Sequence, residues 1–227
     1  MLQDLTKCYG QSSICDADCV VTVGGDGTTL QALHAVLPLS GKPVFSMRLG
    51  DSVGFLGNRP DLANLPDRLR KAQAVSIRPL KAEVQDVSGH TTTVFGINEI
   101  VLMRQRLQAA KLRLTLNGTK QLADVIGDGL LVATPVGSTG YNRSVGGPNL
   151  PIDSALLALT GLAVVHSCDW ANTVISDDTL IEVTVLDPKY RPVRLETNMQ
   201  ELTDISHVRI SCTAQPILTL LLEPRGT

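Results

Sequence analysis

The sequence predicts an α/β N-terminal domain, a parallel sheet with covering helices, followed by an all-β C-terminal domain of two packed, mostly antiparallel sheets. Three observations predict it. Val20-Val21-Thr22-Val23 is a β-branched run that ends in Gly24-Gly25-Asp26-Gly27 and passes into a helical stripe of Leu30, Leu33 and Leu37. From Leu80 onward, short alternating stretches recur between turn residues. After that point helical spacing survives only in Ser154–Leu162. The boundary falls near residue 79, which divides the chain into 1–79 and 80–227.

Each element has its own justification. Leu2 and Leu5 mark the tail of a helix that ends at Gly10. A crossover helix implies an earlier strand, so the first domain is expected to lack its first strand. The strand at Val20 leads to a helix over Thr28–Leu37, with Thr28 or Thr29 as its cap. Gly41-Lys42-Pro43 turns into a strand, Pro43–Met47, and Arg48–Gly57 is a glycine-punctuated loop. Asp61–Ala74 is an amphipathic helix with Leu62, Leu65 and Leu69 on one face. Leu80–Gln85 and Thr91–Phe95 form a hairpin around Ser88-Gly89. Glu99–Leu102 is a further strand, and Lys111–Leu116 alternates strictly before turning at Asn117-Gly118. Val183–Leu186, Val193–Leu195, Val208–Ile210 and Ile217–Leu221 continue the series.

Composition narrows the function classes. The formal net charge of -2 gives no strong pull toward nucleic acid or anionic membrane. Aromatic residues are only 3% of the chain, too few for a stacking platform for single strands. No apolar run spans a bilayer and no charged-then-apolar leader opens the chain, which points to the cytoplasm. Five cysteines without a C-x-x-C pair read as reduced, mostly buried thiols rather than a zinc site.

The first chemical motif is the turn at residues 24–28. A glycine turn between a strand and a helix N-terminus presents N–H groups to an anion such as a phosphate. Asp26 stands out there, because a carboxylate beside a phosphate is repelled unless it holds a metal, accepts a proton or orients a hydroxyl. The competing reading is a left-handed turn residue with a solvated carboxylate.

The second motif follows the apolar strand Leu130–Ala133. From Thr134 to Leu150 the chain is crowded with Gly, Ser, Thr, Asn and Pro, and long ordered loops of this kind tend to be functional. The hydroxyls of Thr134, Ser138, Thr139 and Ser144, the amide of Asn142 and the ring of Tyr141 suit a nucleoside. A rigid Gly/Pro corner closing a β-sandwich is the alternative. Asn98-Glu99, a polar pair at the head of an apolar run, signals little by itself.

Taken in order, Gly24-Gly25-Asp26-Gly27-Thr28, Asn98-Glu99 and Asp128-Gly129 through Gly146-Gly147-Pro148 resemble the NAD kinase family, in its proteobacterial short form. The resemblance implies an N-terminal α/β domain, a C-terminal β domain and NAD in the crevice between them. It implies transfer of the γ-phosphate of ATP, with Mg²⁺ or another divalent cation, to the 2′-hydroxyl of the adenosine ribose of NAD. Asp26 matches the family's general base. Gly27 and Phe55 match the NAD site of the first domain, and Asn98 and Glu99 match nucleoside contacts. Asp128 matches an acceptor for an amide or ribose of the dinucleotide. Thr139, Gly140, Tyr141 and Ser144 match residues that close on the ligand, and Asn142 and Arg143 lie in the same stretch. Lys111 matches a phosphate contact, against a solvated strand lysine as the alternative. No residue is assigned as a direct metal ligand, and a homo-oligomer, dimer or tetramer, is implied.

Three departures accompany the match. Gly140 stands where the family usually has Ala. The family's late Asp-Gly-Gln reads Asn198-Met199-Gln200, so Gln200 survives while the carboxylate and glycine do not. The loop Arg48–Gly57 is longer than usual. The second reading, a catalytically impaired or truncated adenine-dinucleotide-binding protein of the same fold, rests on the missing first strand. A lipid or sugar kinase would share the glycine motif but leaves Asn98-Glu99 and the second motif unexplained.

Overall fold

The computed structural model describes residues 1–39, 42–49, 56–118, 120–165, 170–215 and 217–224, with no side-chain description at 120–123. Two compact units result: Met1–Arg78 with Ala214–Thr227, and Pro79–Thr213.

The first unit is built on a four-stranded sheet. Helix α1 (Leu2–Tyr9) precedes β1 (Val20–Gly24), α2 (Asp26–Val36), β2 (Pro43–Arg48), α3 (Leu65–Lys71) and β3 (Gln73–Ile77). β1 and β2 run parallel, with Val20 opposite Val44 and Gly24 opposite Arg48. Leu5 of α1 and Leu65 of α3 pack with Phe45 and Met47 on one face of the sheet. Helix α3 is shorter than its periodicity predicts. Asn64 takes a left-handed conformation ahead of it, and Ala72 is already extended after it.

The second unit comprises β4 (Leu80–Asp86), β5 (Thr91–Gly96), β6 (Glu99–Arg104), β7 (Ala110–Leu116), β8 (Lys120–Gly127) and β9 (Gly129–Ala133), then α4 (Tyr141–Ser144). It continues through β10 (Leu156–Leu162), β11 (Thr173–Ser176), β12 (Ile181–Val185), β13 (Val193–Glu196), β14 (Glu201–Leu202) and β15 (Ile205–Cys212). Two six-stranded sheets form, ordered β11-β10-β9-β6-β13-β14 and β5-β4-β15-β12-β7-β8. Every pairing in them is antiparallel. The sheets share one core. Leu112, Leu114 and Val208 come from one, and Ile100, Leu130 and Leu159 from the other. The α/β unit and the antiparallel sandwich are the predicted fold class.

Two elements depart from expectation. The stretch Ser154–Leu162 is not a helix but carries β10, with Leu157 and Leu159 in the shared core and Ala158 and Leu162 in a cluster on the other face. A strand buried on both faces reads as a continuous apolar run, which periodicity alone cannot separate from a buried helix. The last strand, β16 (Leu218–Leu222), leaves the sandwich and lies between β2 and β3 in the first unit's sheet. It runs parallel to β2 and antiparallel to β3. Leu218 and Leu220 of this strand are buried, while Thr219, Leu221 and Leu222 keep partial exposure.

Arg68 of α3 fixes this return. Its guanidinium donates to both carboxylate oxygens of Glu223, at 2.7 and 2.8 Å, in the planar fork geometry that favours Arg over Lys. Asn58 closes the other side: its amide donates to Leu221 O and its oxygen accepts from Glu223 N–H. Cys8 and Cys15 are exposed, and Cys19 and Cys212 half-buried, so the thiols are less buried than composition suggests. Cys168 lies outside the described residues.

Candidate functional site

The first unit carries one candidate feature, the β1–α2 turn. Parallel strands open ligand crevices at their carboxyl ends, and Gly24 and Arg48 are the last residues of the adjacent pair β1 and β2. Helix α2 starts at Asp26, with Gly25 as an N-cap that offers no side chain. Gly25 O accepts from the N–H groups of Thr28 and Thr29. The amides of Asp26 and Gly27 have no carbonyl one turn back, by helix geometry. They sit at the positive end of the helix dipole.

The three glycines of this turn do different jobs. None has a positive φ. A Cβ on Gly24 would stand 2.4 Å from the Thr28 hydroxyl, so Gly24 serves packing. Among the described residues a Cβ on Gly25 or Gly27 would meet nothing within 4 Å. Neither backbone conformation nor packing among the described residues requires glycine there, and the space would admit a ligand close to the backbone. Thr28 and Thr29 do not cap the helix as expected, because it begins two residues earlier. Thr29 instead bonds Ser46 of β2 through its hydroxyl, at 2.6 Å.

Asp26 is helical, so the left-handed reading does not hold. Its carboxylate lies 3.7 Å from Nε of Arg48, and both side chains keep partial solvent access. In the sequence Arg48 reads as the first residue of a loop. The signal lay in the strand register: an Arg that ends β2 beside the glycines that end β1 faces the same crevice. Phe55 falls outside the described residues.

The second unit carries its own candidate feature, built where β5 passes into β6. Gly96 permits the tight corner, since a Cβ there would stand 2.5 Å from Glu99 O. The Thr134 hydroxyl donates to Ile97 O (2.7 Å) and Asn98 O (3.0 Å), and Thr134 N–H donates to Asn98 O (2.8 Å). Gly137 presses on the same carbonyl, with a Cβ position only 2.1 Å from it. Against this fixed backbone, two side-chain atoms are buried without a hydrogen-bond partner among the described residues: Oδ1 of Asn98 and Oε2 of Glu99. Burial pushes the Glu99 carboxyl up to about 7. Two adjacent, desolvated acceptors call for donors from outside the chain, such as hydroxyls or an amine.

The loop from Thr134 to Leu150 packs on the outer face of the β6–β9–β10 sheet, where Leu150 and Val145 meet Leu131 and Ala158. Its polar groups divide in two. Ser138 is fully buried; its hydroxyl donates to Pro135 O and accepts from Leu150 N–H. Asn142 is also fully buried. Its amide donates to Ser138 O and Pro148 O, and its oxygen accepts from the Thr160 hydroxyl at 2.6 Å. Asn172 ties the loop's exit: its oxygen accepts from Gly161 N–H and Trp170 Nε1–H, and its amide donates to Gly146 O. Thr134, Ser138 and Asn142 thus make their hydrogen bonds within the chain, Thr134 to the β5–β6 corner and the other two chiefly to the loop. Tyr141, Arg143 and Ser144 are exposed and Thr139 half-buried, so these remain available to a ligand. A Cβ on Gly140 would come no closer than 3.4 Å to Gly137 O, so the packing leaves room for the family's Ala.

Asp128 and Lys111 stand apart from this cluster. Glu99 pairs with Ala133 at one end of β9, whereas Gly129, next to Asp128, pairs with Met103 at the other. At about 3.3 Å per residue the strand separates the two ends by roughly 13 Å. Asp128 is held by Nε of Arg104. Lys111 belongs to the opposite sheet, where its neighbour Leu112 faces the core and Lys111 faces out. It adds to the charge that holds the Asp124 carboxyl below its usual range, behind the Arg113–Asp124 hydrogen bond. Gln200 is exposed, in the turn between β13 and β14. In that turn it is Asn198 that reaches the site, accepting from Asn98 N–H at 3.2 Å.

A mixed-sheet α/β unit with an open glycine turn at a helix N-terminus, and in the same chain an antiparallel sandwich with a buried acceptor pair, suit a nucleotide-binding protein. Comparison with known proteins agrees. Residues 4–74 match the ATP-NAD kinase N-terminal domain and residues 97–213 the ATP-NAD kinase C-terminal domain. The chain is 43% identical to the NAD kinase of Xanthomonas oryzae pv. oryzae over 97% of its own length and 85% of that protein's. It is 39% identical to the NAD kinase of Zymomonas mobilis, over 98% and 86% of the two chains. Yeast NADH kinase complexed with NADH superposes with a TM-score of 0.78 at 21% identity, over 92% of this chain and 62% of that one. An NAD kinase from Archaeoglobus fulgidus in complex with ATP gives 0.75 at 21%, over 96% and 87%. The chain belongs to the ATP-NAD kinase family.

Proposed function

We propose that the chain transfers the γ-phosphate of ATP to the 2′-hydroxyl of the adenosine ribose of NAD, forming NADP. Family membership over both units supports the reaction. The single geometric observation that carries it is the open space at Gly25 and Gly27 beside the Asp26 carboxylate. Phosphate oxygens would lie against the unpaired helix amides, which are already oriented and need no reorganisation as charge moves. Asp26 would accept a hydrogen bond from the attacking hydroxyl and orient it. With a loose phosphoryl-transfer transition state, aiming the hydroxyl matters at least as much as removing its proton early. Arg48 would hold the Asp26 carboxylate in place. Asn98 and Glu99 would accept from the nucleoside, and Thr139, Tyr141, Arg143 and Ser144 would close on it.

Among the described residues no three His, Cys, Asp or Glu converge as a metal cage. A Mg²⁺ ion carried by ATP suits this arrangement, because it binds through phosphates, waters and one or two carboxylates, here Asp26. When bound, it neutralises the transferring group. Asp128 would contact the dinucleotide only away from the Asn98–Glu99 end of its sheet, and Lys111 only from the opposite sheet. The two domains, 1–79 and 80–227 with β16 returned to the first, would work in a cytoplasmic homo-oligomer. No helix of the described residues is long and apolar enough to cross a membrane.

The test is direct: purified protein with NAD, ATP and Mg²⁺ forms NADP, read with an NADP-specific dehydrogenase. Asp26→Asn lowers kcat by about 10²–10⁴-fold while NAD still binds. Undiminished turnover in that variant would remove Asp26 from the mechanism. Light scattering gives the subunit count.

A further inference from the structure

The Asn98–Glu99 acceptor pair is supported by a side chain to which no role has been attached. β13 and β14 form a hairpin whose turn is locked by Thr197: its N–H donates to Gln200 O, and its hydroxyl accepts from Met199 N–H and Gln200 N–H. β13 lies beside β6 with Leu195 opposite Leu102 and Glu196 opposite Val101. Continued past the strand end, that register puts residue 198 across from residue 99. The turn therefore delivers the Asn198 carboxamide to the head of β6, where its oxygen accepts from Asn98 N–H. Thr134 already holds the carbonyls of Ile97 and Asn98. With Asn198, both peptide groups that flank the Asn98 α-carbon are fixed.

We propose that Asn198 is a positioning residue: it sets the direction in which the Asn98 and Glu99 acceptors face the dinucleotide. The proposal rests on the reading that this pair contacts the dinucleotide. It also gives a physical sense to the departure from the family's Asp-Gly-Gln. The hydrogen bond needs an acceptor, not a charge. An amide oxygen supplies one as the family's carboxylate would.

The test compares Asn198→Ala and Asn198→Asp in the full chain. In Asn198→Ala, hydrogen exchange at the Asn98 amide accelerates about tenfold or more, and KM for NAD rises roughly three- to tenfold, as the loss of one net hydrogen bond allows. KM for ATP and kcat stay within about twofold, which a general loss of structure would not leave unmoved. Asn198→Asp restores both the protection and the KM. The proposal is overturned if Asn98 protection is unchanged in the alanine variant, if protection is lost with no change in NAD affinity, or if Asp does no better than Ala. Should the parent chain form no NADP, the phosphotransfer reading fails alone; the dissociation constant for NAD then replaces KM in the same comparison.

Discussion

The β1–α2 turn and the Thr134–Leu150 loop are both rich in glycine, yet they use it for opposite ends. In the turn, a Cβ on Gly25 or Gly27 would meet empty space. In and around the loop, a Cβ on Gly129, Gly137 or Gly147 would lie 1.9–2.1 Å from Leu102 O, Asn98 O or Asn142 Oδ1. The first set keeps room for something outside the chain. The second lets the chain approach itself. The same contrast holds for polar groups: the loop's buried Asn142 and Ser138 are satisfied internally, while Asn98 and Glu99 keep an acceptor without a partner. A glycine or an amide in a conserved-looking motif is therefore not one signal but two. Only the surroundings tell them apart.

The sharpest way to break this comparison is to add a methyl group on each side of it. Gly137→Ala forces a Cβ against the Asn98 carbonyl and should destabilise the fold by about 3 kcal/mol or more, measured by urea unfolding. Retention of full stability would show that the loop does not pack as described.

Glu99 sharpens it through pH. Burial raises the folded carboxyl from 4.5 to about 7, so the folded chain holds a proton that the unfolded chain releases near pH 4.5. Stability falls as pH rises through that window and stays reduced above it. Glu99→Gln removes the ionisation. Its gain over the parent chain should be near zero below the window and on the order of 3 kcal/mol above it. Parallel stability curves across pH would mean the carboxyl is not desolvated.

Thr160→Val keeps the shape of β10 but leaves the buried Asn142 oxygen without its donor. It should cost about 1–3 kcal/mol in thermal or chemical unfolding, with the turn in the other unit unaffected. The smallest effect on stability belongs to Gly27→Ala. Alanine favours a helix over glycine, so this variant should be as stable as the parent or more stable by up to about 1 kcal/mol. NADP formation should nevertheless fall, because the methyl occupies the ligand's space. A stable, fully active Gly27→Ala would place the phosphate elsewhere.

Much of this architecture was legible in the residues. The β-branched run into Gly24-Gly25-Asp26-Gly27 specified strand, turn and helix, because each is a local preference. The alternating stretches after Leu80 specified antiparallel strands for the same reason. Ser154–Leu162 was misread because burial on both faces erases the alternation that marks a strand. Ile217–Leu221 was legible as a strand, but its place between β2 and β3 depends on long-range pairing. In the site, Asp26, Asn98 and Glu99 could be picked out, whereas Arg48, Thr160 and Asn198 could not. Each of those three acts on a residue distant in the chain, and nothing in its own neighbourhood announces the partner.

By itself the sequence determined the class of each half, the chemistry-bearing turn and the family resemblance, since these depend on residue type and short spacing. Tertiary structure alone decided that residues 218–222 complete the first sheet and that Asn142 holds the loop together. It alone decided that Asn98 Oδ1 and Glu99 Oε2 are buried and unpaired among the described residues. Those outcomes are set by which surfaces lose water and which donors come within 3 Å, and long-range pairing fixes both.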